Sequence, residues 1–259
     1  MTDLLAAYDA HLRTAAEVLG ATSVERFGPL WVARYEGGRL FVTYAELDAP
    51  AARVAEVAAL IASDASITQA EWKTRTHDDA PGLEDALTRA GFVADEVESV
   101  MLGDAGTLID VAAPAGVIVR QMTTPTDIRA ALDMQDEVFG GTPYAERLLP
   151  EILERQARGE AVEVWAAEVD GRIVSVGRID PIPGTAFAGI WGGATRPEYR
   201  GRGIYRALTA ARARSAISHG VRWIHSDSTE FSRPILERAG LVKVTETVPW
   251  TWERTPAAS

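Results

Sequence analysis

The stretch Ile190-Trp191-Gly192-Gly193-Ala194-Thr195-Arg196-Pro197-Glu198-Tyr199-Arg200-Gly201-Arg202-Gly203-Ile204-Tyr205-Arg206-Ala207-Leu208 decides the reading of this chain. A strand-forming run ends at Thr195, a tight turn holds Pro197, and glycines at 201 and 203 stand just before a helix. Glycine lets the backbone approach a ligand closely and adopt conformations barred to other residues. A helix starting there aims its free N–H groups and the positive end of its dipole at whatever fills the loop. Such a place suits phosphate. Six arginines and one glutamate fall between positions 196 and 214, a local excess of positive charge on a chain of net charge −11. Ile204, Ala207, Leu208 and Ala211 make the apolar stripe of the helix, which leaves Arg200, Arg202 and Arg206 for the loop or the solvent.

Three kinds of phosphate loop could be written this way. A Walker loop needs Gly-x-x-x-x-Gly-Lys-Ser/Thr, and that string is absent. A dinucleotide fingerprint could use Gly201 and Gly203, with Asp227 downstream for a ribose, but Arg206 stands at the third glycine position. The elements before the loop also read as antiparallel rather than as a parallel nucleotide-binding half.

Working outward, a strand over 117–122 leads to a helix capped at Thr124 with Pro125 at its first position. A second helix is expected over 144–158, then strands over 163–169, 172–179 and 186–195, the first two joined by the hairpin turn Asp170-Gly171. The loop helix runs from about 203 to 218 and stops at Gly220. A strand over 221–226, a short helix over 232–239 and two final strands reaching Trp252 complete this part.

Upstream, the pattern predicts a helix from Leu4 to Leu19 and a hairpin of 30–35 with 39–44 around Glu36-Gly37-Gly38. A helix over 50–63, a strand over 67–75, a helix over 82–90 and a strand over 92–102 follow. The Ala-, Gly- and Pro-rich run 103–116 places a domain boundary, giving domains 1–112 and 113–259. Leu236-Glu237-Arg238-Ala239-Gly240-Leu241-Val242 echoes Leu87-Thr88-Arg89-Ala90-Gly91-Phe92-Val93, each after a strand containing tryptophan. That echo is the mark expected of a worn duplication.

The 259 residues suffice for one large domain or two small ones, and 47% apolar with 24% charged residues is ordinary for a globular chain. Cysteine is absent, which excludes disulfides, thiolate zinc sites and thiol nucleophiles. The start MTDLLAAYDAHLRTAAEVLG lacks a basic region and a long apolar core, so a cytoplasmic location without a signal peptide is expected. No run is long and apolar enough to cross a membrane. The acidic balance argues against nucleic acid and anionic lipid as partners. His11, His77, His219 and His225 lack ligand spacing, so no metal is expected.

With the elements in place, the segment Arg200-Gly201-Arg202-Gly203-Ile204-Tyr205 resembles the acetyl-CoA-binding motif Arg/Gln-x-x-Gly-x-Gly/Ala of the GNAT acyltransferases. The resemblance covers Val117 to Trp252 in element order, and the N-terminal half looks like a degenerate GNAT-like domain without the loop. It implies an α/β (α+β) fold with a central mixed, mostly antiparallel sheet flanked by helices, and a smaller N-terminal α/β domain. It also implies that backbone groups of Ala194, Thr195 and Arg196 bind the pantetheine arm of acetyl-CoA. N–H groups from Arg200 through Gly201, Arg202, Gly203 and Ile204 to Tyr205 would hold the pyrophosphate, and Ser232 is carried over as a further cofactor contact.

The implied reaction is direct acetyl transfer from acetyl-CoA to a primary amine of a small molecule or peptide, with Asp227 as the candidate base and Glu230 in reserve. A non-catalytic acyl-CoA sensor or assembly module is the alternative, and a homodimer is an expected state. Two departures from the pattern stand out. Tyr205 replaces the usual small residue, and Leu236 stands where many members carry the tyrosine that protonates the leaving thiolate.

Overall fold

Residues 3–140 and 144–255 are described by the computed structural model, and they divide into two units. The first comprises residues up to Val100 together with Asp227–Arg233 and the residues from Lys243 on; the second comprises Met101–Ser226 and Pro234–Val242. Part of the C-terminal sequence thus groups with the first unit.

The elements in chain order begin with α1 (Leu4–His11), β1 (Ser23–Phe27), β2 (Leu30–Tyr35), β3 (Arg39–Thr43) and α2 (Pro50–Ser63). Next come β4 (Gln69–Arg75), α3 (Leu83–Arg89), β5 (Val93–Ala94) and β6 (Glu98–Asp104). The rest are β7 (Val117–Met122), α4 (Pro125–Phe139), α5 (Ala145–Ala157), β8 (Glu163–Val169), β9 (Arg172–Pro181), β10 (Phe187–Thr195), α6 (Ile204–Ser218), β11 (Trp223–Ser228), α7 (Arg233–Arg238) and β12 (Val242–Glu253).

In the first unit β1, β2 and β3 form an antiparallel meander, and β4 lies parallel to β3. Strand alternation sends Ala70 and Trp72 of β4 to one face, where Val54, Val57 and Ile61 of α2 and Leu83 and Leu87 of α3 cover them. The opposite face carries Glu71, Lys73 and Arg75. Fully burying Trp72 alone contributes about 2–3 kcal/mol. The helix expected to run to Leu19 stops at His11. Arg13 is drawn to both carboxylate oxygens of Asp78 (2.9 Å each) and to the Tyr44 carbonyl, and Thr14 takes a positive φ of 54°.

A single strand, β12, replaces the two expected at the C-terminus. It pairs with β4 from Thr247↔Arg75 to Glu253↔Gln69 and sets Trp250 opposite Trp72. That pairing is why residues from Lys243 on belong to the first unit.

In the second unit β7, β8, β9 and β10 form an antiparallel meander and β11 lies parallel to β10. The two halves of the sequence thus repeat the order helix, parallel strand, short helix, strand after a meander, as α2, β4, α3, β5 and as α6, β11, α7, β12, with α4 and α5 set between β7 and β8 in the second. This shared order agrees with the echo around Leu87 and Leu236. Asp170 and Gly171 take positive φ values in the β8–β9 turn, as a tight hairpin requires. Thr124 caps α4 by accepting from the Asp127 N–H. Met122, Ile128, Leu132 and Leu148 pack on one side of this sheet, while α6 covers the other through Ile204, Ala207 and Leu208. Mixed sheets flanked by helices are the fold class expected from the sequence.

Candidate active site

In the second unit the parallel pairing of β10 with β11 runs only from Phe187↔Trp223 to Gly189↔His225. Beyond Gly189 the β10 edge away from β9 therefore loses its strand partner. On its other side β10 carries a bulge, because Trp191 opposes Arg178 while Ala194 already opposes Val176. Gly192 sits in the bulge with φ 61°, the left-handed value a bulge of this kind needs. After the bulge the Arg196 N–H donates to the Val174 carbonyl (2.9 Å). The two-residue alternation then directs Ala194 and Arg196 toward β9 and turns Gly193 and Thr195 to the open edge. The expected contacts Ala194, Thr195 and Arg196 thus lie at the end of β10, with Thr195 on the open edge.

The loop after β10 is built as its glycines predicted. Gly201 and Gly203 have φ values of 74° and 78°, and Gly203 caps α6 without any side-chain hydrogen bond. A Cβ at Gly201 would meet nothing within 4 Å, and one at Gly203 only Pro114 Cγ at 3.8 Å. The space over the α6 N-terminus is thus open, and the first N–H groups of the helix lack intrahelical acceptors. Gly201, Arg202 and Gly203 are exposed and Ile204 is buried beneath them. Arg200 folds back to donate from Nε to the Thr195 carbonyl (3.0 Å), and Arg202 lies over the Tyr199 ring. Arg196 is spent on structure: its Nε donates to the Ile173 carbonyl and it pairs with Glu137 at 2.7 Å.

Tyr205 turns inward. A Cβ on Gly193 would come within 2.6 Å of the Tyr205 hydroxyl, so residue 193 is glycine because a tyrosine ring occupies the space. Arg212, fully buried, lies 5.6 Å from the centre of that ring. It donates to the Arg178 carbonyl and to Thr209 Oγ1, and among the described residues no carboxylate pairs with it. Tyr205, Thr209 and Leu108 share a cavity of about 120 Å³ with Ile235 and Leu236 of α7. Leu236 is buried and supplies no polar group there.

The other expected site residues, Asp227 and Ser232, belong to the first unit. Lys73 Nζ binds Asp227 Oδ2 directly and lies 3.4 Å from Glu17 Oε1; Arg75 binds the same Glu17 oxygen. Burial disfavours the Lys73 charge, but the Asp227 and Glu17 carboxylates outweigh it and hold the ammonium protonated. Burial likewise acts against the Glu17 charge, yet Arg75 and Lys73 pull its pKa down to about 2. Glu98 shares this neighbourhood. Burial, with the nearby Asp227 carboxylate, pushes it up to about 7. Ser232 closes a turn onto the Thr229 carbonyl, and Glu230 is exposed. Lys73, Glu17 and Glu98 escaped the sequence reading; the alternation of β4 marks Lys73 as off the core face, but its partner lies 154 positions away.

An acetyltransferase (GNAT) family model matches residues 128–240. No curated protein matches the chain. A GCN5-related N-acetyltransferase from Kribbella flavida superposes with a TM-score of 0.71 at 15% identity, over 99% of this chain and 98% of that one. A functionally unknown protein from Staphylococcus epidermidis gives 0.69 at 15% identity, over 91% and 95%. A tandem GNAT protein from the clavulanic acid biosynthesis pathway gives 0.61 at 16% identity, over 88% and 79%. At such identities the likeness is one of fold. The chain thus shares the α/β fold of these GNAT proteins along nearly its whole length, and within it residues 128–240 match the acetyltransferase (GNAT) family model.

Proposed function

We propose that this chain is an acetyl-CoA-dependent N-acetyltransferase that moves an acetyl group directly to a primary amine of a small molecule or peptide. The observation that carries the reading is the open cradle at the α6 N-terminus, where Gly201 and Gly203 hold left-handed backbone beside the free edge of β10. N–H groups from Gly201 to Tyr205 hold the pyrophosphate with the helix dipole behind them. Thr195 and Gly193 present edge groups to the pantetheine arm, and an N–H of that edge polarises the thioester carbonyl. When bound, acetyl-CoA supplies an acyl group already activated as a thioester.

An ammonium acceptor must shed a proton before its nitrogen can attack. Asp227 is the carboxylate proposed to receive it. The chain's net charge of −11 favours a cationic acceptor. The test is thiol release from acetyl-CoA across a panel of primary amines. Release that depends on an amine supports the reading. CoA binding without turnover on any amine would instead favour an acyl-CoA-binding sensor.

A further inference from the structure

We infer that the Tyr205 hydroxyl is the group that protonates the departing CoA sulfur. The inference rests on the functional reading above and deepens it, because breaking the thioester leaves an electron pair on sulfur that a nearby acid must meet. Three observations bring Tyr205 to that place.

Its hydroxyl lies against Gly193, where a Cβ would stand only 2.6 Å from it. An arm entering from the α6 N-terminus along the free β10 edge passes Thr195 first and reaches Gly193 next. The hydroxyl is also free to serve: among the described residues it makes no hydrogen bond. Finally, the ring is fixed in place. Its backbone carbonyl accepts from Thr209 Oγ1 (2.9 Å), and the buried guanidinium of Arg212 lies 5.6 Å from its centre.

The Arg212 placement needs a reason, since a fully buried arginine without a carboxylate partner is costly. Against a ring face the cation recovers part of that cost. It also leaves a positive charge behind the ring, where negative charge develops as the proton leaves. The groups facing the Tyr205 side chain are few. Among the described residues, Arg206 of its own helix, Arg238 of α7 and Asp110 after β6 line the cavity with it, Arg212 lies against its ring, and Gly193 of β10 lies against its hydroxyl. Leu236 of α7 offers the same cavity a buried aliphatic chain, so no second hydroxyl competes from that helix.

The balanced step is simple. The amine lone pair forms the C–N bond at the carbonyl carbon, and the C–S bond breaks with its electron pair going to sulfur. The Tyr205 O–H proton passes to that sulfur, giving the free thiol. The nitrogen, cationic after the attack, releases one proton to solvent and the phenolate regains one from solvent, so the products are the neutral amide and the free thiol.

The test needs no acceptor. CoA itself is bound to the parent protein and to Tyr205→Phe, affinity is measured by calorimetry, and the bound thiol is titrated by its thiolate absorbance. The phenylalanine keeps the ring against Arg212 and removes only the donor. In the parent complex the thiol should ionise at lower pH than in the variant, by about tenfold in proton affinity, with CoA affinity changed less than twofold. Gly193→Ala gives a second handle: its methyl group would displace the hydroxyl and should move the titration in the same direction. Coincident titration curves for parent and Tyr205→Phe, with CoA bound to both, would overturn the assignment of Tyr205 alone. Failure of the parent protein to bind CoA would overturn the functional reading together with it.

Discussion

Asp227→Asn is the most informative substitution, because Asp227 is both the proposed proton acceptor and the partner of a buried lysine. Lys73 keeps only 14% of its side chain accessible, and Asp227 only 7%. Removing one member of such a pair leaves the other charge desolvated, which typically costs about 3–5 kcal/mol. Glu17 remains 3.4 Å from Lys73 Nζ and holds part of the attraction. The expected loss is therefore at the lower end, about 3 kcal/mol at pH 7, read from urea unfolding with an unchanged m value.

Lys73→Met on the same background removes the stranded charge. Most of the lost stability should return in the double variant, giving a coupling of about 2 kcal/mol in the cycle. Turnover separates the two roles. If Asp227 receives the proton, kcat falls about 10²-fold in Asp227→Asn and stays low in the restabilised double variant. A single variant within about 0.5 kcal/mol of the parent would refute the buried pair. A double variant that regains full kcat would refute the proton-acceptor role.

Gly203→Val places a β-branched residue at φ 78°, which should cost about 2 kcal/mol of stability and weaken CoA binding at least tenfold, about 1.4 kcal/mol; calorimetry showing parental affinity would move the site elsewhere. Arg200→Ala should weaken CoA less, and more visibly at low salt, since its charge acts through solvent. Glu98 has a folded pKa raised to about 7, so its favourable share of stability is complete below the unfolded value near 4.5 and is lost as pH rises through 7. Glu98→Gln should therefore match the parent near pH 4.5 and exceed it by on the order of 2 kcal/mol at pH 8, after allowance for solvent screening; equal slopes of stability against pH would count against the shift. One CoA per chain should bind at saturation, because the N-terminal half has no loop like that at 200–205, and a stoichiometry of two would contradict this.

Local patterns carried most of the architecture. The glycine pair at 201 and 203, the Thr124-Pro125 cap, the Asp170-Gly171 turn and the periodicity of α2 and α6 act over a few residues, so the sequence alone determined these elements and the left-handed loop before α6. Where a local signal met a distant partner, it lost. The first helix ends at His11 because Arg13 finds Asp78, 65 positions away, and β12 joins β4 because Trp250 finds Trp72.

The chemistry of the site depended most on such distant meetings. Nothing near Asp227 in sequence announces Lys73, and nothing near Tyr205 shows that Gly193 leaves room for its ring. The loop motif marks Tyr205 only as an oversized residue; the bulge of β10 and the buried Arg212 turn it inward. Spacing along a chain reports hydrogen bonds and side-chain faces within one element. Which charges are desolvated together, and which hydroxyl reaches an open strand edge, is set by packing between elements, and only the tertiary structure decides it.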